Sequence, residues 1–238
     1  MKSPSRFAFF FALATAAMIP LLSCSPSVAA DVNKTERQVD SFQQVEIMDA
    51  VNVYLTQGPA KPAVIEAEGN GASQVRLDVS GSVLRVISGG SRMFHNTNVN
   101  VYLTAPDVNG LSIFGSGDLK VLGKLSAKDT IKISIAGSGT VSGELNAPNV
   151  NASIAGAGDI KVKGRTRDLR ISIAGSGDYD GFDLMAESTH VSIVGSGDAH
   201  VYASKQLSVS TAGSGDVSYM GDPQVRSSIM GSGSVKKR

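Results

Sequence analysis

The chain has 238 residues, with 22 Lys and Arg side chains against 21 Asp and Glu, so its formal net charge is only +1. This balance gives no support for binding to nucleic acid or to an anionic lipid surface through overall charge. The single cysteine excludes a disulfide within the chain.

Residues 1–24 have the organisation of an export signal. Lys2 and Arg6 form a positive start, and the mostly apolar run that follows, residues 7–22, is short for a membrane span. Removal of this segment takes away two positive charges and leaves 20 basic against 21 acidic side chains. We therefore predict an exported protein whose mature form is close to neutral.

The end of this segment, Leu-Leu-Ser-Cys24, resembles the bacterial lipobox. It predicts lipidation of Cys24 and attachment to a membrane through a lipid anchor. Ser25, directly after the cysteine, is compatible with sorting to the bacterial outer membrane. Ordinary cleavage after Ala30 is the alternative, and it would give a soluble periplasmic or secreted product.

Two segments precede the regular part of the chain. Residues 25–40 are polar without apolar periodicity, and we interpret them as a tether. Residues 41–110 have a β pattern in which Val-Asn-Val-Tyr-Leu-Thr occurs at 51–56 and again at 99–104. We expect this part to form wider coils that cap the N-terminal end of the regular region. A small antiparallel sheet packed on that end is the alternative.

A Gly-Ser-Gly-Asp unit recurs through residues 111–238, in seven copies with small changes. The first glycines of successive copies lie 22, 19, 19, 20, 18 and 18 residues apart. A fixed period near twenty is typical of a solenoid, in which one small unit is stacked repeatedly. The repeat glycines are Gly115, Gly117, Gly137, Gly139, Gly156, Gly158, Gly175, Gly177, Gly195, Gly197, Gly213, Gly215, Gly231 and Gly233.

Apolar residues alternate with polar ones on both sides of each glycine pair, and the parity continues through the pair. In the second copy, Ile133 and Ile135 are followed in the same parity by Gly137, Gly139 and Val141. Period two predicts strands, with the glycines at inward positions where backbones approach closely. Twenty residues are too few for a strand–helix unit of about thirty. We therefore predict an all-β parallel β-helix (solenoid) of about 20-residue coils with an irregular N-terminal β cap, spanning roughly 34 Å.

Stacking of equivalent coils would place the residues after each Gly-Ser-Gly in one row. Carboxylates about 4.8 Å apart repel by roughly 0.9 kcal/mol per pair in water, so the row needs an explanation. We expect each carboxylate to accept backbone N–H groups at the corner. The alternative is a cation-binding ladder that recruits calcium, which prefers oxygen ligands. The row consists of Asp118, Thr140, Asp159, Asp178, Asp198, Asp216 and Ser234, and the candidate cation ligands are Asp159, Asp178, Asp198 and Asp216.

The sequence predicts no catalytic residue and no metal centre. The serines of the Gly-Ser-Gly units have no histidine at a fixed offset that could act as a base. His95, His190 and His200 do not form a metal-ligand motif, and Tyr179, Tyr202 and Tyr219 fit core or flanking positions. An enzyme that cuts acidic polysaccharides would need clustered carboxylates with a Lys or Arg base in a groove. Its candidates, in a run that we expect to be loop-rich and solvated, are Lys161, Lys163, Arg165, Arg167 and Arg170.

The last repeat stops at a basic tail, residues 236–238, without a capping helix pattern. The tail could act as a charged gatekeeper that discourages edge-to-edge growth. The alternative is a homodimer in which two C-terminal coils meet.

The lipobox, the Phe-x-x-Val opening at Phe42 and Val45, and the tandem Ser-Ile-x-Gly-Ser-Gly-Asp units resemble the bacterial head GIN domain family of auto-transporter adhesins. The resemblance covers about residues 42–235. It implies a right-handed parallel β-helix at the cell surface or in the periplasm, and it brings no catalytic residues.

From these patterns we expect a non-enzymatic cell-envelope protein, an adhesin or binding scaffold that presents flat ladders to an unknown protein or glycan. A β-helical enzyme acting on polysaccharides is one alternative. A structural or envelope-stress component without a ligand is the other. No cofactor is expected, with calcium as the one candidate, and no nucleic acid partner.

Overall fold

The computed structural model describes residues 32–68, 71–89 and 99–238. The predicted export signal and Cys24 lie outside these residues, as does His95. The described chain is nearly all strand, with one short helix.

The N-terminal part of the described chain contains seven strands and the helix. They are β1 (Val32–Arg37), β2 (Gln44–Met48), β3 (Asn52–Gln57), β4 (Lys61–Glu68), α1 (Gly71–Gln74), β5 (Val75–Ser80), β6 (Val83–Ser88) and β7 (Val99–Ala105). The repeat region contains thirteen more strands. They are β8 (Gly110–Gly115), β9 (Asp118–Ser126), β10 (Thr130–Gly137), β11 (Thr140–Gly156), β12 (Asp159–Gly175), β13 (Tyr179–Gly181), β14 (Leu184–Met185), β15 (Ser188–Gly195), β16 (Ala199–Tyr202), β17 (Gln206–Gly213), β18 (Val217–Met220), β19 (Gln224–Gly231) and β20 (Val235–Lys237).

The strands form two stacks, which we call face A and face B. Face A contains, in spatial order, β5, β6, β2, β8, β10, the second halves of β11 and β12, β15, β17 and β19. Face B contains β1, β4, β7, β3, β9, the first halves of β11 and β12, β13 with β14, β16, β18 and β20. Ten strands about 4.8 Å apart make face A about 43 Å long.

Successive coils of the repeat region lie in parallel register, like residue over like. Ile135 of β10 is paired with Ile154 of β11, which is paired with Ile173 of β12, and each is 1% exposed. Burial of each such side chain contributes about 1.5–3 kcal/mol, which offsets the cost of about 1 kcal/mol for a glycine in a strand. The prediction of a β-solenoid is confirmed, with about 7 turns of about 19 residues.

The N-terminal end combines both predicted alternatives, because parallel coils and antiparallel strands occur together there. The coil β2–β3 lies between β6–β7 on one side and β8–β9 on the other, so the spatial order differs from the chain order. The two copies of Val-Asn-Val-Tyr-Leu-Thr are therefore direct neighbours. Tyr54 stacks on Tyr102 with ring centroids 4.9 Å apart, and Asn52 Nδ2 donates to Asn100 Oδ1 at 3.2 Å.

Three antiparallel strands close this end of the solenoid. On face B, β4 pairs with β7 and β1 pairs with β4, while on face A β5 pairs with β6. The tether predicted over residues 25–40 is therefore wrong for residues 32–37, which form β1. The alternation of exposed charged residues in β1 against its partner β4, including the pair Lys34–Glu66 at 3.3 Å, explains how a polar segment forms an edge strand.

Candidate binding face

Each Gly-Ser-Gly unit forms the corner between face A and face B. Gly137 has φ +142°, a conformation that L side chains rarely adopt, and a Cβ on it would lie 2.1 Å from the carbonyl oxygen of Gly115. A Cβ on Gly139 would lie 2.1 Å from the carbonyl oxygen of Gly117. The same close approach, 2.0–2.8 Å to a backbone oxygen, holds for all fourteen repeat glycines. The expected close backbone approach at the glycines is therefore present.

The serine of each corner anchors its coil through its backbone. Ser138 N–H donates to the oxygen of Gly115 and Ala157 N–H to the oxygen of Gly137, both at 2.9 Å. The same bond recurs with Ser176, Ser196, Ser214 and Ser232 as donors, each at 2.9 Å. Because Ala157 keeps the bond, the hydroxyl is not needed for the corner.

The residues that follow the corners link successive coils through hydrogen bonds. Asp118 Oδ1 accepts the N–H of Thr140 at 3.0 Å, and Asp178 Oδ1 accepts the N–H of Asp198 at 2.9 Å. Asp198 Oδ1 accepts the N–H of Asp216 at 2.8 Å in the same way. These contacts match the structural hypothesis, in which each carboxylate accepts a backbone N–H. Asp159 differs, because its carboxylate pairs with Lys161 at 3.2 Å.

Asp216 carries the strongest contacts of the row. Its Oδ1 accepts both the hydroxyl and the N–H of Ser234 at 2.7 Å, and these two hydrogen bonds lower the pKa of Asp216 below its ordinary value. Within the described ranges, no group of three or more His, Cys, Asp or Glu side chains is placed to hold a metal ion. Calcium binding by Asp159, Asp178, Asp198 and Asp216 stays an untested prediction.

Besides the serines of the corners, face A carries a row of exposed serines that was not predicted from the sequence. The serines point outward in register through seven consecutive strands, and we call them the serine column. Each of them lies three residues before the first glycine of its repeat, a signal that was visible in the sequence. The serine column consists of Ser112, Ser134, Ser153, Ser172, Ser192, Ser210 and Ser228.

A column of longer polar side chains runs beside the serines, and we call it the basic column. It consists of Lys132, Asn151, Arg170, His190, Ser208 and Arg226. Lys132, Arg170 and Arg226 are exposed and make no ion pair with a described residue. Residues 130–231 are all described, and the outward positions of face A there include one carboxylate, Asp168, which pairs with Arg167 at 2.7 Å. Face A is therefore locally positive although the chain is nearly neutral.

A shallow groove of about 470 Å³ lies over the two columns from β10 to β15. Asn151 is part of its lining, and the side-chain oxygen Oδ1 is enclosed without a hydrogen-bond partner in the described structure. A buried acceptor without a donor costs about 1–3 kcal/mol.

The third column of face A is apolar and mostly small, with the large side chains Phe114 and Met230 at its two ends. It contains Phe114, Ala136, Ala155, Ala174, Val194, Ala212 and Met230. Val194 is 59% exposed. Short side chains along this column keep face A flat beside the serines.

Face B differs because it carries more carboxylates, several of which pair with its cations, although Lys120 and Lys163 make no ion pair with a described residue. Lys124 pairs with Glu144 at 3.3 Å, and Lys237 pairs with Asp222. His200 stacks on Phe182 with centroids 4.9 Å apart. Since His190 lies on face A, the two described histidines are on opposite faces and cannot form one site.

The basic run at 161–170 is not loop-rich, and that expectation was wrong. It lies within the 17-residue strand β12, where its cations alternate with buried Val162 and Thr166. The expectation of a solvated surface was right for the cations, which are exposed. The strand was missed in the sequence because exposed cations occupy every second position and only the positions between them are buried by the stack.

Two cations of this run, Arg165 and Arg167, line a groove of about 580 Å³ where the chain turns from face B to face A. Its one carboxylate, Glu187, pairs with Lys205 at 2.5 Å. The groove therefore does not bring together the two carboxyl groups that glycoside hydrolysis uses.

The three tyrosines separate as core and flank. Tyr179 is 1% exposed and its hydroxyl lacks a hydrogen-bond partner in the described residues, while burial raises its pKa above the ordinary value. Tyr202 and Tyr219 are half-buried. None of the three forms a surface platform for stacking.

Among the residues that the structure describes, no helix has the length and apolarity needed to cross a membrane. No curated protein matches the chain significantly. Solved structures do share its fold. A "putative adhesin" from Bacteroides fragilis is 24% identical, with a TM-score of 0.79 over 88% of this chain and 98% of that one.

A "putative lipid binding protein" from Parabacteroides distasonis is 23% identical, with a TM-score of 0.68 over 88% and 98% of the two chains. A "putative adhesin" from Parabacteroides merdae is 20% identical, with a TM-score of 0.69 over 87% and 96%. The profile of the family described as "Putative auto-transporter adhesin, head GIN domain" matches residues 41–223. The resemblance drawn from the repeats is confirmed, and the chain belongs to the head GIN domain family.

Proposed function

We propose that the protein is a non-enzymatic, adhesin-type binding protein of the cell envelope, and that face A binds an extended anionic glycan. The observation that carries this proposal is the groove of face A. It brings unpaired cations of the basic column, Lys132 and Arg170, together with hydroxyls of the serine column. A glycan with acidic groups supplies anions that pair with the cations and hydroxyls that hydrogen-bond with the serines.

The spacing of the columns suits a long ligand that runs across the strands. Lys132 and Arg170 lie two coils apart, about 9.6 Å, where their mutual repulsion in water is only about 0.4 kcal/mol. The cations therefore coexist at little cost, while each remains available to a ligand anion. Binding of ligand anions to these exposed cations should weaken as salt is raised, because salt screens the attraction between exposed charges.

The relatives support a binding role. The family description contains the word adhesin, and three solved structures of this fold carry the words "putative adhesin". No serine of the serine column forms a hydrogen bond with a described histidine or carboxylate that could act as its base, although His190 lies two residues before Ser192 in β15 and both line the groove. Repeated shallow contacts along a flat surface would supply the affinity.

Export and a lipid anchor would place this face in the envelope. The lipobox pattern at Cys24 supports a lipoprotein of the outer membrane, with ordinary cleavage after Ala30 as the alternative. The first described strand, β1, lies at the outer edge of the N-terminal cap. An anchor that precedes β1 would therefore hold the molecule by its capped end.

The test is retention of the purified protein on a panel of acidic and neutral glycans, with product analysis for cleavage. We expect retention on acidic glycans, a loss of at least tenfold in affinity in Lys132→Gln/Arg170→Gln, and release by salt. The matched control is Lys120→Gln/Lys163→Gln on face B, which removes the same charge and should bind as the unmodified protein does. Equal losses in both variants, or retention independent of acidic groups, would contradict the proposed ligand class. Cleavage of any glycan would favour the enzyme instead.

A further inference from the structure

The two ends of the solenoid differ in whether their edge strands are covered. At the N-terminal end, β5 and β4 pair with the terminal coil and cover its edges. At the C-terminal end, β19 pairs only with β17, and no described residue covers its other edge. All eight residues of β19 are exposed. A long edge strand of this kind is a template for pairing with another strand.

The inward positions of β19 show what the missing neighbour would cover. Val225 is 39% exposed and Ile229 is 37% exposed. Their counterparts one coil earlier, Leu207 and Thr211, are 1% and 2% exposed. The apolar interior of the solenoid is therefore open at this end.

The backbone groups at the uncovered edge follow from the pairing with β17. Gln224 N–H donates to the oxygen of Lys205 at 2.9 Å, so the polar groups of Gln224 point towards β17. The backbone N–H and C=O groups of successive residues point to alternate sides of a strand. Those of Val225, Ser227 and Ile229 therefore point away from β17, out of the uncovered edge.

This edge is self-complementary when a second β19 lies antiparallel to it with Ser227 at the centre. Val225 then faces Ile229 of the second copy on the inner side, and Ile229 faces Val225. On the outer side Arg226 faces Ser228, so the two Arg226 side chains are not opposed. Apolar cross-strand pairs stabilise such an arrangement, and like charges directly opposite would destabilise it.

The basic tail lies on face B, where β20 pairs with β18, and leaves the edge of β19 uncovered. Lys237 is paired with Asp222, and the Arg238 guanidinium lies 6.0 Å from the centroid of the Phe182 ring. Both cations are thus held on face B by groups of their own chain.

We propose that the C-terminal edge binds a second copy of this chain, through antiparallel pairing of β19 with β19 about a two-fold axis at Ser227. The result is an isologous end-to-end dimer in which face A of each copy continues into that of the other. The capped ends, with β1, then lie at the two far ends of the rod. An anchor that precedes β1 in each copy would attach to opposite ends.

The first experiment is sedimentation of the purified protein over a concentration series up to about 100 µM, where even a weak specific dimer is populated. We expect a dimer, and a monomer for Ile229→Lys, which places a cation in the uncovered interior. Met230→Lys is the matched control, because it adds the same charge to the outer side of the same strand and should still dimerise. Anionic glycan binding per copy should be the same in the unmodified protein and in Ile229→Lys, whose new cation lies on the inner side of the strand and not on face A, so this result is separate from the proposed function. A monomer at every concentration overturns the proposal.

The second experiment fixes the register, in a chain where Cys24 is replaced by serine. Residues directly opposite in an antiparallel pair have Cα atoms about 5.5 Å apart, within the range that a disulfide bridges. Ser227→Cys should therefore form a disulfide-linked dimer in air. Ser228→Cys, one residue away and facing Arg226, should cross-link much more slowly. Faster cross-linking at Ser228, or none at Ser227, overturns the two-fold axis stated above.

Discussion

The corners and face A repeat with the same period, yet their polar groups are used differently. At the corners, Asp178 and Asp198 accept backbone N–H groups of the next coil, so their charges are engaged by the fold. On face A, Lys132 and Arg170 make no ion pair with described residues, and Asn151 Oδ1 has no donor there. Repetition alone therefore does not identify a binding surface, because the polar groups of one repeated row are engaged by the fold while those of another are left without partners.

The largest expected effect is at a corner glycine. Gly175 has φ +130°, and a Cβ there would lie 2.2 Å from the oxygen of Gly156. Gly175→Ala should therefore lower the free energy of unfolding by about 3 kcal/mol, from backbone strain and overpacking together. Urea unfolding measures this. Ser176→Ala is the control, because Ala157 occupies the equivalent position, and a loss of similar size in both variants would contradict the corner's role.

A smaller effect is expected at the row of aspartates. Asp198→Ala removes the acceptor of the Asp216 N–H and should cost about 1 kcal/mol of stability, again by urea unfolding. Asp198→Asn keeps an acceptor oxygen and should lose less. If both variants have the same free energy of unfolding as the unmodified protein, the carboxylates do not stabilise the stacking of the coils.

The smallest effect concerns pH. The Ser234 hydroxyl and N–H lower the pKa of Asp216 below its ordinary value of 3.8. A group with a lowered pKa in the folded state stabilises the fold fully above its ordinary value, and this contribution is lost as pH falls below it. The stability difference between the unmodified protein and Ser234→Ala should therefore shrink below pH 3.8. Ser218→Ala, on the neighbouring column of face B, should show a difference that does not change with pH.

The repeat region could be predicted from the sequence because parity and glycine spacing encode it directly. Ile133 and Ile135 share parity with Gly139, and the structure keeps all three inward. The insertion of β2–β3 between β6–β7 and β8–β9 could not be predicted, because neighbouring coils have the same alternation whatever their order along the chain. The basic column was hidden for a different reason: its members differ in chemistry, and only the register brings them together.

The most direct test of this account measures glycan affinity and unfolding free energy on the same two double variants. Lys132→Gln/Arg170→Gln should lose affinity for the acidic glycan at least tenfold while its unfolding free energy stays within about 0.5 kcal/mol of the unmodified protein. Asp178→Ala/Asp198→Ala should lose stability and keep its affinity. If the face A variant kept its affinity, or the corner variant lost affinity without losing stability, the division between corners and face A would be contradicted.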